Sequence, residues 1–266
     1  MNYNEELQFL LSQQTRPLQR YCLSNEEWVW IRKAGGGNPV IHYKLLEILT
    51  VYLFRQPIFR PIYRGKTLAI IDEAHRLTAL EKAQIPAPRL LAQCDTGLMM
   101  SDLGNGTALK SLDDLIVHRF ENKMDIFPIW QQGLTALLGV HQKKQYLAQA
   151  FARNMVELPN KQVAFLDFEE DPAYKLTLSE CQVRDILLYL LSTVHYFTDK
   201  HIDNALNFFI EHKKTLNPDT WSLLIKTIKK FKWMRHLHSP YLMGRDGKRF
   251  ARTVRFLANL LDKIEK

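Results

Sequence analysis

Apolar residues recur along the chain at two intervals, and the change of interval divides it. Glu5 to Gln14 carries helical spacing, and the LQRYCLS that follows reads as extended. In EEWVWIRKA apolar and polar positions alternate, with Val, Trp and Ile enriched, which predicts a strand from Glu26 to Ala34. AGGGNP breaks that strand, because three glycines and a proline continue neither element type. Val40 to Phe54 places Ile41, Leu45, Leu46, Ile48, Leu49 and Tyr52 at helical spacing, and Leu68 to Gln84 repeats the pattern until the prolines of IPAPRLL stop it. RLLAQ and GLMMSDL read as short strands around the turn at Asp95, Thr96 and Gly97, and LGNGTAL is a loop. From Leu109 onward the spacing is helical almost throughout, ending in a basic helix from Arg249 to Glu265. The exception is NMVELPNKQVAFLDFEEDP, where Met155 to Leu158 and Gln162 to Asp167 are strand-like on either side of Pro159 and Asn160.

This order predicts an α+β protein. A small strand-bearing N-terminal lobe covers residues 1–103, with a helical insertion at about 40–64. A polar hinge near Ser101 to Gly106 leads into a larger helical lobe, residues 104–266, which carries a hairpin at about 149–171. Composition narrows the class. With 46% hydrophobic residues a disordered chain is excluded, and 11 Gly and 11 Pro without a period exclude a collagen-like one. Cys22, Cys94 and Cys181 are odd in number and unpaired in spacing, which points to a reducing, cytoplasmic setting rather than a disulfide or zinc framework. Glu5 and Glu6 stand where a secretion signal needs positive charge. The apolar run from Val40 to Phe54, about 15 residues broken by Lys44 and Glu47, is shorter than the roughly 20 that span a bilayer. It either covers the small lobe's sheet or lies on a membrane surface with Phe59 and Tyr63 inserted, a peripheral position at the inner membrane face.

The net charge of +8 is unevenly placed: His201 to Lys266 holds 14 Lys or Arg against 6 Asp or Glu. That surplus is either a solubilising face or a surface for an anionic membrane or an RNA-associated complex. Other chemistries lack their motifs. No HExxH, GxSxG or GxxxxGK[ST] string occurs, and the two imidazoles of RHLH, His236 and His238, are two apart, an awkward spacing for one helix face.

Four residues fall where phosphoryl transfer needs them. Lys33 ends the first strong strand, Glu73 lies early in the helix beginning near Leu68, Asn154 precedes the hairpin, and Asp167 ends its second strand. A cation must hold nucleotide phosphates, a carboxylate must position that cation, and two oxygen ligands must hold magnesium between the phosphates. Each residue alone has an ordinary reading: a solvated strand-end lysine, a carboxylate near a helix N-terminus, a turn-capping asparagine, an end-of-strand aspartate.

In order and spacing the chain resembles the protein-kinase-like superfamily, and within it the compact bacterial proteins related to lipopolysaccharide core kinases and the kinase subunit of the KEOPS tRNA-modifying complex. The resemblance runs from about Trp28 to Ser192. VWIRK is similar to the strand ending in the phosphate-binding lysine, implying that role for Lys33, and DEAHRL to the helix that supplies its carboxylate partner, implying Glu73. LMMSDLG resembles the hinge, which implies the adenine edge near Met100, Asp102 and Leu103. QAFARNM resembles the catalytic loop, with Asn154 as a magnesium ligand, and FLDFE the metal-binding motif, with Asp167 as the main ligand. VRDILLYLLS is similar to the helix whose aspartate, here Asp185, braces the catalytic loop.

Two departures from the family pattern matter. Five residues before Asn154 the catalytic aspartate is replaced by Gln149, which can orient a hydroxyl but cannot take its proton as a carboxylate does. No GxGxxG precedes Lys33, so phosphate cover comes from Leu18 to Asn25 or is minimal. The expectation is therefore an ATP- and magnesium-dependent phosphotransferase acting on an unidentified hydroxyl acceptor such as a glycolipid, sugar or protein. The alternative is a pseudokinase, a nucleotide-responsive scaffold without transfer.

Overall fold

A computed structural model describes residues 2–35, 58, 66–236 and 244–265. The expected break at AGGGNP beyond residue 35, the Val40 to Phe54 helix, Phe59, Tyr63 and His238 lie outside them. The described chain is α+β and divides into two compact units, Met1–Leu109 with Val156–Leu176, and Lys110–Met155 with Thr177–Lys266. Of the hairpin segment expected in the helical lobe at about 149–171, residues 156–171 thus belong to the strand-bearing unit and 149–155 to the helical one. One reason is a backbone bond: the Phe165 N–H donates to the Pro86 carbonyl at 3.0 Å.

The first unit is built on a four-stranded antiparallel sheet. Its strands are β1 (Leu18–Cys22), β2 (Trp28–Lys33), β3 (Leu90–Cys94) and β4 (Gly97–Ser101), in the order β1-β2-β4-β3. Because strand side chains alternate between faces, Val29 and Ile31 point to one side of β2 and Trp28, Trp30 and Arg32 to the other. Helix α1 (Tyr3–Gln13) lays Leu7 and Leu11 on the first side, closing a core with Leu23, Val29, Ile31 and Met99. Each such buried side chain contributes roughly 1.5–3 kcal/mol. Helix α2 (Lys66–Lys82) presents Ile70, Glu73, Ala74, Leu77 and Leu80 as its buried stripe, the i, i+3, i+4 pattern of one helix face. Glu73 is therefore buried by its position on that stripe. The hairpin strands β5 (Met155–Glu157) and β6 (Val163–Phe165) pair with each other.

The second unit is helical. Helices α3 (Leu112–Glu121) and α5 (Leu178–Thr193) each start with a capping box, Ser111 with Asp114 and Thr177 with Glu180, which satisfies two otherwise orphaned backbone donors apiece. Between them in sequence runs α4 (Phe127–Gln142), followed after α5 by α6 (Asp199–His212), α7 (Pro218–Phe231) and α8 (Gly244–Ile264). Trp130 on α4 is fully buried at the centre of an aromatic cluster with Phe127, Tyr189, Phe197, Phe208 and Phe209. The Tyr189 hydroxyl donates to the Trp130 carbonyl at 2.7 Å, which satisfies that polar tip, whereas the buried Trp130 Nε1 makes no hydrogen bond. Among the described residues no helix is long and apolar enough to cross a membrane.

Candidate functional site

In the first unit Arg32 meets three carboxylates. Arg32, near the end of β2, lies with its Nε 2.8 Å from Glu73 Oε2, in ion-pair contact though without the alignment of a hydrogen bond. Its other guanidinium nitrogens meet Asp167 Oδ1 at 3.9 Å and, in the closest of the three contacts, Glu169 Oε1. Asp167 has φ 67°, a left-handed conformation that a non-glycine residue adopts at a cost, and such conformations concentrate where function demands them. The turn it makes after β6 also aims the Phe168 N–H at the Glu73 carboxylate. Phe168 itself is buried, which anchors the segment.

Lys33 is elsewhere. Its ammonium donates to the carbonyls of Leu11 at 3.3 Å and Gln14 at 3.1 Å, at the C-terminal end of α1. There it satisfies acceptors that the helix leaves open and sits at the negative end of the helix dipole. The lysine expected to pair with Glu73 is thus a helix cap, and its neighbour Arg32 holds the carboxylates. The signal was present in WVWIRK: alternation sends positions 32 and 33 to opposite faces, and only one of them can meet α2.

Burial of Glu73 outweighs its attraction to Arg32, and with the nearby Asp167 charge raises its pKa from the ordinary 4.5 to about 7. The unfolded chain releases this proton near 4.5, so between 4.5 and 7 only the folded chain holds it. Stability is then expected to fall as pH rises through that window and to level off above it. At 1.4 kcal/mol per pH unit the loss is about 3 kcal/mol. Urea denaturation of the wild type and Glu73→Gln across pH 4–8 checks this: the difference between them should change by that amount. Parallel profiles would mean that the carboxyl ionises as in water.

The hinge residues are committed to structure. Met100 is buried in β4. The Asp102 carboxylate accepts from Trp30 Nε1 at 3.2 Å and from the N–H groups of Gly104 at 3.1 Å and Gly106 at 2.8 Å, and pairs with Arg20 at 3.6 Å. Gly106 takes φ +84° with the Trp28 ring packed against it, where a side chain would collide. Asp102 therefore shapes the linker, and its own N–H donates to the Trp28 carbonyl. Leu103, next in the same linker, is half-buried.

The second unit holds the loop from Tyr146 to Asn154. Asp185 on α5, fully buried, accepts the Leu147 N–H at 2.7 Å and faces His141 Nε2 at 3.3 Å with the same oxygen. Ala148 follows at φ 73°, a left-handed conformation costly for any residue with a β-carbon. The Asn154 amide donates to the Gln149 carbonyl at 3.0 Å, and the Ala152 N–H donates to Ser192 Oγ at 3.0 Å. The loop is thus held by α5 at both ends and closed across its middle by Asn154. His141 is the residue that reading by sequence passed over: with no HExxH partner it carried no motif, and only the fold puts it against Asp185.

Among the described residues no group of three or more His, Cys, Asp or Glu side chains is spaced to hold a metal ion by itself. A magnesium ion shared with a nucleotide takes most of its oxygens from phosphate and water, so one or two protein ligands suffice. Comparison with models of known protein families and with curated proteins gives no match.

Proposed function

We propose that the chain is a phosphotransferase of bilobal, protein-kinase-like fold that uses ATP and magnesium. The observation that carries the reading is the Arg32–Glu73–Asp167 cluster: a strand-end cation, a helix carboxylate, and an aspartate in left-handed conformation just after a short hairpin. Arg32 takes the role expected of Lys33, neutralising nucleotide phosphates while Glu73 holds its guanidinium. Asp167 is the residue to ligate magnesium, which when bound would neutralise charge developing on the phosphates; for Asn154 a part in metal binding is only what the family resemblance implies. The Gln149 amide orients the acceptor hydroxyl, and positioning supplies most of the rate where the transition state is loose.

Gln149 and the missing glycine-rich loop favour a second reading, a pseudokinase that binds nucleotide without transfer. One set of assays separates the two. The protein is expected to bind ATP only with magnesium, Asp167→Asn to lose that binding more than tenfold, and labelled phosphate to pass to a component of a cell lysate. Binding without hydrolysis or transfer selects the scaffold. Unchanged binding by Asp167→Asn removes Asp167 from the metal site.

A further inference from the structure

Strand β1 ends the four-stranded sheet, and among the described residues no strand pairs with its outer side. Two bonds show which of its backbone groups face that side. The Lys33 N–H donates to the Pro17 carbonyl at 2.8 Å, and the Leu23 N–H to the Glu27 carbonyl at 2.9 Å. Backbone groups alternate in direction along an antiparallel pair, so Gln19 and Tyr21 turn theirs to β2, and Leu18, Arg20 and Cys22 turn theirs outward. Proteins ordinarily blunt such an edge with lysine, proline, a bulge or a covering element. The opposite edge, β3, has its register shifted between Leu90 and Ala92, whereas β1 keeps one register from Leu18 to Cys22. Nor does the charge of Arg20 guard the edge. Its guanidinium lies 5.0 and 5.8 Å from the ring centres of Trp28 and Trp30, toward β2, and pairs with Asp102 at 3.6 Å.

A groove of about 350 Å³ lies where α1 meets the C-terminal end of this strand. Phe9, Leu10 and Leu23 line it with apolar surface, and Glu5 and Glu6 with carboxylates. Phe9 is 62% exposed there. Ser24, on the same groove, donates to Glu6 Oε1 at 3.4 Å, which sets that carboxylate just past the end of β1. The start of β1 carries the opposite chemistry. Arg16 is exposed and pairs with no acidic side chain among the described residues, and Pro17 and Leu18 after it are exposed too. Two antiparallel copies of an edge place the start of each beside the end of the other. Centred on Arg20, the pairing puts Leu18 of one copy beside Cys22 of the other, and Arg16 beside Ser24 and the carboxylate of Glu6. The two central arginines would face each other, but each is drawn back onto its own tryptophans and Asp102.

We propose that two copies of this chain associate through β1, edge to edge and antiparallel, with Arg16, Pro17 and Leu18 of each seated on the groove of the other. The pairing doubles the four-stranded sheet, bonds the outward backbone groups and covers Phe9. It needs nothing from the phosphotransfer reading.

Sedimentation equilibrium of the full-length protein should show monomer and dimer in exchange, with the dimer weakening as salt rises. Amide exchange read by NMR should slow at Leu18, Arg20 and Cys22 as protein concentration increases. Arg16→Glu and Glu6→Lys should each weaken the dimer at least tenfold, with circular dichroism unchanged. Mixed one to one, the two variants should associate to within about threefold of the wild type, because opposite charges then meet at both contacts. Leu18→Pro removes an outward N–H and none that bonds β2, and should leave a folded monomer. A protein that stays monomeric up to about 1 mM overturns the proposal and leaves the edge to a different protein. A dimer that none of these variants weakens also overturns it. So do edge amides that exchange slowly in the dilute monomer, since the chain then covers its own edge.

Discussion

Arg32→Ala is expected to lower the unfolding free energy by about 1–3 kcal/mol and to abolish magnesium–ATP binding, whereas Lys33→Ala costs about 1 kcal/mol and leaves that binding intact. The asymmetry follows from what each cation touches. Arg32 is the ion-pair partner of Glu73, Asp167 and Glu169 together, and removing it takes from the buried Glu73 the cation that lowers its pKa, so that the carboxyl takes up a proton near neutral pH. The cost is that of the lost guanidinium contacts with the three carboxylates, moderated because a protonated Glu73 carries no charge to compensate. Lys33 bonds two carbonyls at the end of α1, groups that water can reach once the lysine is gone. Chemical denaturation and nucleotide titration of both variants decide between the neighbours. Loss of nucleotide binding in Lys33→Ala with retention in Arg32→Ala would reverse the assignment.

The second large effect is expected at Asp185. Asp185→Ala removes the acceptor of the Leu147 N–H and the partner of His141 from a fully buried position, at a cost of about 3 kcal/mol. That hydrogen bond precedes the left-handed Ala148, so the conformation of the loop through Gln149 depends on it. Phosphate transfer should fall at least a hundredfold while the Kd for magnesium–ATP, set by Arg32 and Asp167, changes less than threefold. Asp185→Asn keeps an acceptor oxygen and should recover part of both losses. Single-turnover assays beside equilibrium titration provide the check: an equal fall in binding and turnover would give Asp185 a general role in folding rather than a local one in the loop.

Much of the fold was legible in the chain. The strands at WVWIRK, RLLAQ and GLMMS, the amphipathic helix after residue 65 and the hairpin around Pro159 lie within a few residues of their expected bounds. Each is a local consequence of periodicity and turn chemistry. The association of the hairpin with the strand-bearing unit was not legible, because it depends on a contact between segments about 80 residues apart, Phe165 with Pro86. The same limit hid His141, 44 residues from the carboxylate it faces.

What the sequence by itself determined is the set of elements, the stripe on α2 that buries Glu73, and the presence of two adjacent cations at the end of β2. It left open which cation meets the carboxylates. Alternation says that Arg32 and Lys33 point to opposite faces, but the phase of a strand acquires meaning only when its two faces are covered by different partners. Tertiary packing made that choice. With α1 laid against the side of Val29 and Ile31, Lys33 was left to the end of that helix, and Arg32 to Glu73 and the turn at Asp167.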